Sequence, residues 1–279
     1  MERQRESGEA TVVAPRLVCT PRRLPRDQWV AAAATARDIN PLNYAPVHRL
    51  MAVMADFQPT PEHLAIVTAK FWHTNGVRLT VGFLDSAPME LQTRILSHMN
   101  AWSKTANVEF VLARTDPQVR IAREGGEDGG FWSYLGTDIL SIRAGEPTMN
   151  LEGFSMETEE SEFHRVVRHE TGHTMGFPHE HLRRELVDLI DPEKAIRFFE
   201  ATQGWTPAQV RQQVLTPIEE SSLVGTTHPD PQSIMCYQIP GAITRNGMPI
   251  VGGLDIDELD FQFAAKVYPK TLAGPGVTR

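Results

Sequence analysis

Cysteine is scarce. Only Cys19 and Cys236 occur in 279 residues, so at most one disulfide can form and stability cannot rest on a disulfide framework. A reducing compartment suits such a chain, and a cytoplasmic location is the expectation. Basic charge is also short: 27 Lys and Arg stand against 35 Asp and Glu, a formal net charge of −8. Gripping phosphate backbones needs a basic surface, so nucleic acid is not an expected partner. Long apolar runs are missing too. The alanine-rich stretch Val30 to Ala36 is far too short to cross a bilayer. The polar opening "MERQRESGEATVVAPRLVC" has no apolar segment of the length a secretory signal requires. Neither a membrane partner nor an export signal is expected, and no internal repeat is seen.

What remains is the composition of an ordinary globular protein, 41% apolar and 22% charged. The length allows a large core, in one bilobal domain or two small ones. Residues 1 to about 23 lack periodicity and read as a flexible extension. The run Pro25 to Ile39 favours a helix that breaks at "NPLNYAP". "QPTPEH", residues 58 to 63, reads as a linker. The division expected is therefore an N-terminal extension over 1–60 with one helix, a main domain over 61–270, and a tail over 271–279.

Within 61–270, "VRLTVGFLD" alternates with period two, and Leu91, Ile95, Met99 and Trp102 recur with helical spacing. "NVEFVLAR" and "VRIAR" read as strands, and "FWSYLGTDILSIR", residues 131 to 143, as another extended segment. These elements imply a twisted sheet backed by a helix. The next helix opens near Thr158 or Ser161 and runs through Thr174, with Phe163, Val166, Val167 and Thr174 on one stripe. Asp191 before Pro192 and Thr206 before Pro207 are helix starts, and Gly204 ends the first of these helices. The chain between Ser221 and Gly253 reads as loop. A last helix places Ile256, Leu259, Phe263 and Val267 on one face, with Asp255 and Asp257 as caps.

The densest chemistry lies in "HETGHTMGFPHEH", residues 169 to 181, which holds four of the ten histidines. His169 and His173, four apart on a helix, put two ring nitrogens on one face, with Glu170 beside them. Gly176 can take the left-handed conformation that ends a helix, and Pro178 forces Phe177 into an extended shape. The chain then turns back and brings His179 to the same ion. Three neutral imidazoles suit zinc and leave a position for water, whose proton a neighbouring carboxylate can take. By itself HExxH is also compatible with two solvated histidines. Chance, however, puts Gly176 and His179 at both offsets only roughly once in four hundred sequences of this composition. His181, pointing differently, reads as a surface group or a supporting neighbour.

The HExxHxxGxxH pattern is that of metzincins, and the wider match resembles the astacin family. After the third histidine come Glu180 and, three residues on, Arg183, as in that family. "SIMCY", residues 233 to 237, is similar to its Met-turn, and "GGFWSYLGT" to its glycine-flanked "WSY" segment. The matches keep astacin order over about residues 75 to 270.

The resemblance implies an α+β zincin fold: an upper lobe to about residue 176 with a twisted mixed sheet and the zinc helix, and a helical and irregular lower lobe after it. It implies a monomeric zinc endopeptidase acting on peptides or proteins, with zinc on His169, His173 and His179, Glu170 as general base, and Met235 under the metal. Tyr237 matches the tyrosine that ligates zinc at rest and swings to the tetrahedral intermediate. A peptide adds beside the strand matched by Phe131 to Tyr134. Trp132 and Tyr134 are candidates for substrate contact, though aromatic residues on a strand more often belong to a core. Glu180 in the family meets the N-terminus made by maturation; a structural role is an equal reading here. Arg183 and Arg184 can select acidic side chains or be structural. Two other functions stay open: a noncatalytic, zinc-stabilised peptide-binding protein, and an amidase for small substrates.

The departures concern cysteine and latency. Phe131 stands where secreted astacins have a cysteine, Cys236 fills a Met-turn position commonly histidine, and the aspartate that blocks zinc in the propeptide is not found. Cys19, in "LVCTPRR", is a candidate replacement. Arg16, Arg22 and Arg23 nearby would favour its thiolate, and thiolate is a good zinc ligand. A segment of this length can fold back across the cleft and set the Cys19 sulfur where the catalytic water belongs.

Overall fold

A computed structural model describes residues 19, 22–53, 60–126, 129–218 and 229–270. The N-terminal part holds α1 (Trp29–Ile39) and α2 (Ala45–Val53), where the sequence suggested one helix. Asn40 makes the difference. Its extended backbone ends α1, and its side chain accepts a hydrogen bond from Leu42 N, starting a short 3-10 turn that delivers α2. Both helices are tied to the residues beyond them. Asn43 donates to the carbonyls of Ala36 and Phe71, and Val47, Leu50 and Val67 share a small core. "QPTPEH" is not only a linker: Thr60 caps α3 (Pro61–Val67), with Pro61 in its first turn. Residues 58 and 59 lie outside the described residues.

Five strands form one mixed sheet: β1 (Val77–Phe83), β2 (Val108–Leu112), β3 (Val119–Ala122), β4 (Phe131–Ser133) and β5 (Met149–Leu151), in the order β2-β1-β3-β5-β4. All neighbours are parallel except β4 and β5, which run antiparallel, with Trp132 opposite Asn150. β4 is thus an antiparallel edge. Between β1 and β2 runs α4 (Met89–Met99), whose Leu91, Ile95 and Met99 are buried, as is Trp102 just beyond it. Fully burying a side chain of this kind contributes about 1.5–3 kcal/mol.

The expected strand over 131–143 ends at Ser133. Gly136, at φ +47, then turns the chain into a 3-10 helix over Gly136–Ser141. A Cβ there would sit 1.9 Å from Lys70 O, so only glycine fits this close approach. The helical run that carries His169 and His173 is built in three consecutive pieces: α5 (Glu160–Glu162), a π-helical turn over Phe163–Val167, and α6 (Arg168–Thr174). Phe163, Val166 and Val167 are buried against the sheet and α4, and Trp102 Nε1 donates to Arg168 O at 2.9 Å.

The lower lobe packs around a second core that includes Ile190, Phe199, Val210 and Ile243. It contains α7 (Arg184–Val187), α8 (Pro192–Gln203) and α9 (Pro207–Val210). Asp191 caps α8, Gly204 ends it in the left-handed conformation, and Thr206 with Gln209 forms a capping box on α9. Of the expected loop after Ser221, residues 221–228 lie outside the described residues; the remainder includes a bridge between Ile239 and Ile250.

The chain returns to the upper core through α10 (Glu258–Val267), capped by Asp257. Leu259 is exposed here, contrary to the expected face: Asp260, Ala264 and Val267 are buried instead. The helix is rotated because Asp260 turns inward to accept hydrogen bonds from Ser233 Oγ and Ile234 N. Asp255 is not a cap either; it pairs with Arg168 and His164. Among the described residues no helix is long and apolar enough to cross a membrane.

Candidate metal centre

His169 and His173 leave the same face of α6, with ring centroids 4.7 Å apart. Gly176, at φ +95, reverses the chain. A Cβ on it would lie 2.9 Å from Lys70 O, so position and dihedral both require glycine. The reversal sets His179 Nε2 3.1 Å from His169 Nε2 and 2.9 Å from His173 Nε2.

Each helix imidazole is fixed from behind: His169 Nδ1 donates to Ile234 O at 2.6 Å and His173 Nδ1 to Phe177 O at 2.8 Å. These bonds select the tautomer whose Nε2 lone pair faces inward. Lone pairs about 3 Å apart repel unless a cation stands among them. Protons are a poor choice, because burial lowers the pKa of all three rings, His173 to about 4. Neutral nitrogen donors with carbonyls behind them are the donor set zinc takes. The residues present therefore fit that ion.

Glu170 is fully buried next to them. Its Oε2 accepts from Ser133 Oγ at 2.7 Å, while Oε1 has no hydrogen-bond partner among the described residues. Burial pushes this carboxyl up to about 7, partly opposed by the Cys19 thiol, Ser133 and Arg165. A base of that strength at neutral pH can take a proton and return it. Ser133 went unread in the sequence. Only the alternation of β4, which sends Trp132 to one face and Ser133 to the other, carried a signal for it.

Met235 packs under the centre: a Cβ on Gly172 would lie 2.4 Å from its Sδ. Its carbonyl accepts from Glu180 N at 2.8 Å, and the Glu180 carboxylate accepts from Asp230 N and pairs with Arg183. Glu180 and Arg183 thus fasten the segment after His179 to the Met-turn; Arg184 is exposed at the start of α7. Tyr237 is buried with its ring 4.4 Å from that of His179, and its hydroxyl donates to Cys19 O. Burial raises its pKa first, then the neighbouring Cys19 and Glu170, so the hydroxyl keeps its proton. His181 is no surface group. It lies flat on Tyr237, centroids 3.8 Å apart, and donates from Nε2 to Gln213 O.

Cys19 and Arg22 lie in the cleft. Cys19 bridges Phe131 and Arg22 bridges Tyr134, both parallel to β4, and the Arg22 guanidinium lies 4.5 Å over the ring of Trp132. Cys19 and Arg22 are therefore not part of a loose extension. Trp132 is buried, edge-to-face with Tyr134 at 6.0 Å. The Cys19 sulfur lies within 4.8 Å of all three inward imidazole nitrogens, and neither cysteine is in a disulfide. The expected help from arginines is not what is found. Burial and Glu170 raise the thiol's pKa, and the arginine that opposes them is Arg165; Arg16 lies outside the described residues. With the segment in place, a cavity of about 30 Å³ remains beside Glu170 and Tyr237, room for a water and not for a peptide.

A family model described as Astacin, a peptidase family, matches residues 65–244. Zinc metalloproteinase nas-27 of Caenorhabditis elegans is 33% identical over 104 residues, 37% of this chain and 22% of the relative. The match thus spans about a fifth of that relative's length. Two solved structures of myroilysin are similar, each 31% identical. One superposes with a TM-score of 0.67 over 73% of this chain and 97% of its own. The other has a TM-score of 0.55 over 72% and 86%.

Proposed function

The chain belongs to the astacin family of peptidases, and from that premise we propose that it is a zinc-dependent endopeptidase held latent by its own N-terminal segment. The observation that carries the proposal is the inward set of His169, His173 and His179 beside a buried Glu170 with one unpartnered oxygen. Zinc bound by the three imidazoles supplies the Lewis acidity that polarises a peptide carbonyl and acidifies water. Glu170 takes the proton of the attacking water on Oε1 and delivers it to the leaving amine, while Ser133 holds Oε2 and so fixes the carboxyl plane. Tyr237 donates its hydroxyl to the oxyanion that develops on the carbonyl. His181, stacked on its ring, sets the plane in which that hydroxyl moves. The antiparallel edge β4 supplies backbone groups for an extended peptide, a mode that accepts many side chains.

Latency has its own support. The Tyr237 hydroxyl is engaged by Cys19 O, the thiol lies among the zinc-facing nitrogens, and the edge of β4 is bridged at Phe131 and Tyr134. All three components of the machinery are thus met by one segment. Binding to zinc would draw off the thiol proton despite the high intrinsic pKa, because a coordinating thiol ionises.

The test compares the full chain with Cys19→Ser and with a chain beginning near Leu24, on a short fluorogenic peptide, beside zinc-edge X-ray absorption of the full chain. One sulfur neighbour and higher activity in both variants are expected. Nitrogen and oxygen neighbours only, with unchanged activity in both variants, would leave Cys19 without a role. An active truncated chain that releases new termini from denatured protein and stops with a chelator supports the endopeptidase; binding without cleavage would mean a peptide-binding protein.

A further inference from the structure

A second set of imidazoles meets on one carboxylate, on the far side of the zinc helix from the cleft. Glu160 and His164 are four residues apart, one on α5 and one in the π-helical turn, and so share a face. His98 reaches them from the last turn of α4. His98 Nε2 is 3.2 Å and His164 Nε2 3.5 Å from Glu160 Oε1, and the ring centroids are 5.2 Å apart. One ligand atom from each residue lies within 4.8 Å of the other two.

We infer that His98, Glu160 and His164 form a second divalent-metal site, taking zinc or a metal of similar preference, that clamps α4 to the helix carrying His169 and His173. Two imidazoles and a carboxylate are a donor set of zinc chemistry, completed by water on the side where Glu160 is exposed.

The surroundings are arranged as such a site requires. His164 Nδ1 is 2.8 Å from Asp255 Oδ2, the carboxylate behind an imidazole that orients metal-binding histidines. With its proton on Nδ1, His164 keeps an Nε2 lone pair that can coordinate, and Glu160 Oε1 stands 3.5 Å from that nitrogen. His98 is buried, and burial lowers its pKa, so it offers a neutral donor at neutral pH. Its Nε2 is the nitrogen turned to Glu160 Oε1, and its Nδ1 is buried with no hydrogen-bond partner among the described residues. Arg94 holds the other carboxylate oxygen, Oε2, at 2.7 Å and leaves Oε1 to the imidazoles.

Arg168 is the competing group. Its Nη2 lies 3.2 Å from His164 Nε2, in the place an ion would take, while its Nη1 pairs with Asp255. Entry of an ion displaces the first contact and leaves the second. The π-helical turn belongs to the same feature: widened turns of this kind recur at functional sites, and this one carries His164.

The experiment is equilibrium dialysis of the full chain against zinc, with metal per chain read by mass spectrometry, for wild type, Glu160→Gln and His164→Ala. Two zinc ions per chain are expected in wild type and one in each variant. In His169→Ala, added zinc should still raise Tm, and should no longer do so once Glu160→Gln is added. Glu160 is exposed, so Glu160→Gln leaves the fold intact and its metal count decides the matter. A wild type that holds one zinc, or a second zinc that persists in both Glu160→Gln and His164→Ala, would overturn the inference. The readout is metal content, so it stands apart from any outcome for the peptidase.

Discussion

His164 and His169 stand five residues apart on one helical run and meet opposite surroundings. At His169 the walls are backbone carbonyls and other imidazoles, the residue is buried, and the neighbouring Glu170 carboxyl is itself pushed up to about 7. At His164 the neighbours are Glu160, Asp255 and Arg168, open to water on one side. The same side chain is thus a deeply buried neutral donor in one half of the run and a member of an ion-pair network in the other. What separates them is the groups behind the rings: carbonyls in the cleft fix the tautomer without adding charge, whereas outside it Asp255 brings negative charge and Arg168 a competing positive one.

The largest effect on the buried half should come from His179→Ala, which removes the imidazole that the Gly176 turn brings in. Zinc content should fall with activity, while Glu170→Gln keeps zinc and loses about 10²–10⁴-fold in kcat, the usual contribution of a positioned base. Elemental analysis beside a peptide assay of the Leu24-truncated chain separates the two. An active Glu170→Gln protein would remove the base from the account.

Tyr237→Phe should cost about 10²-fold in kcat with a smaller change in KM and no loss of zinc, because the proposal assigns the hydroxyl to the developing oxyanion. Steady-state kinetics of the same truncated chain reads this. A change confined to KM would make Tyr237 a substrate contact.

A smaller effect sharpens the contrast between buried and exposed carboxyls. Asp260, under the Met-turn, is pushed up to about 7 by burial, against the hydrogen bonds from Ser233, Ile234 and Asp257. Its folded-state value lies above its unfolded one, so the stability it contributes is complete below about pH 4, is lost as pH rises to about 7, and is level beyond. In chemical denaturation between those limits, wild type should lose on the order of a few kcal/mol more than Asp260→Asn. Parallel slopes for the two proteins would show that Asp260 ionises freely.

Much of this arrangement was legible in the sequence where a single residue sets the local backbone. Gly176, Gly204, Asp191 and Thr206 each end or begin a helix at the place their chemistry indicates. The spacing of His169, His173 and His179 likewise gave the expectation of a shared ion, and their nitrogens lie about 3 Å apart. Less legible were features set by distant contacts. Gly136 turns the chain because Lys70 O lies against it, and β5, only three residues long, pairs through β3 and β4. Leu259 gave way to Asp260 because the buried Ile234 amide and Ser233 hydroxyl needed an acceptor. Ser133, His181 and the pairing of Asp255 depend on partners 37, 56 and 87 or more positions away, which periodicity does not encode.

The most direct measurement takes the chain trimmed to Leu24, strips its metal with a chelator, and restores zinc in steps against a denatured protein mixture, identifying new termini. Cleavage that vanishes with the metal, returns in proportion to zinc bound at His169, His173 and His179, and stays absent in zinc-loaded Glu170→Gln is the predicted result. Cleavage that survives metal removal, or that Glu170→Gln retains in full, would contradict it.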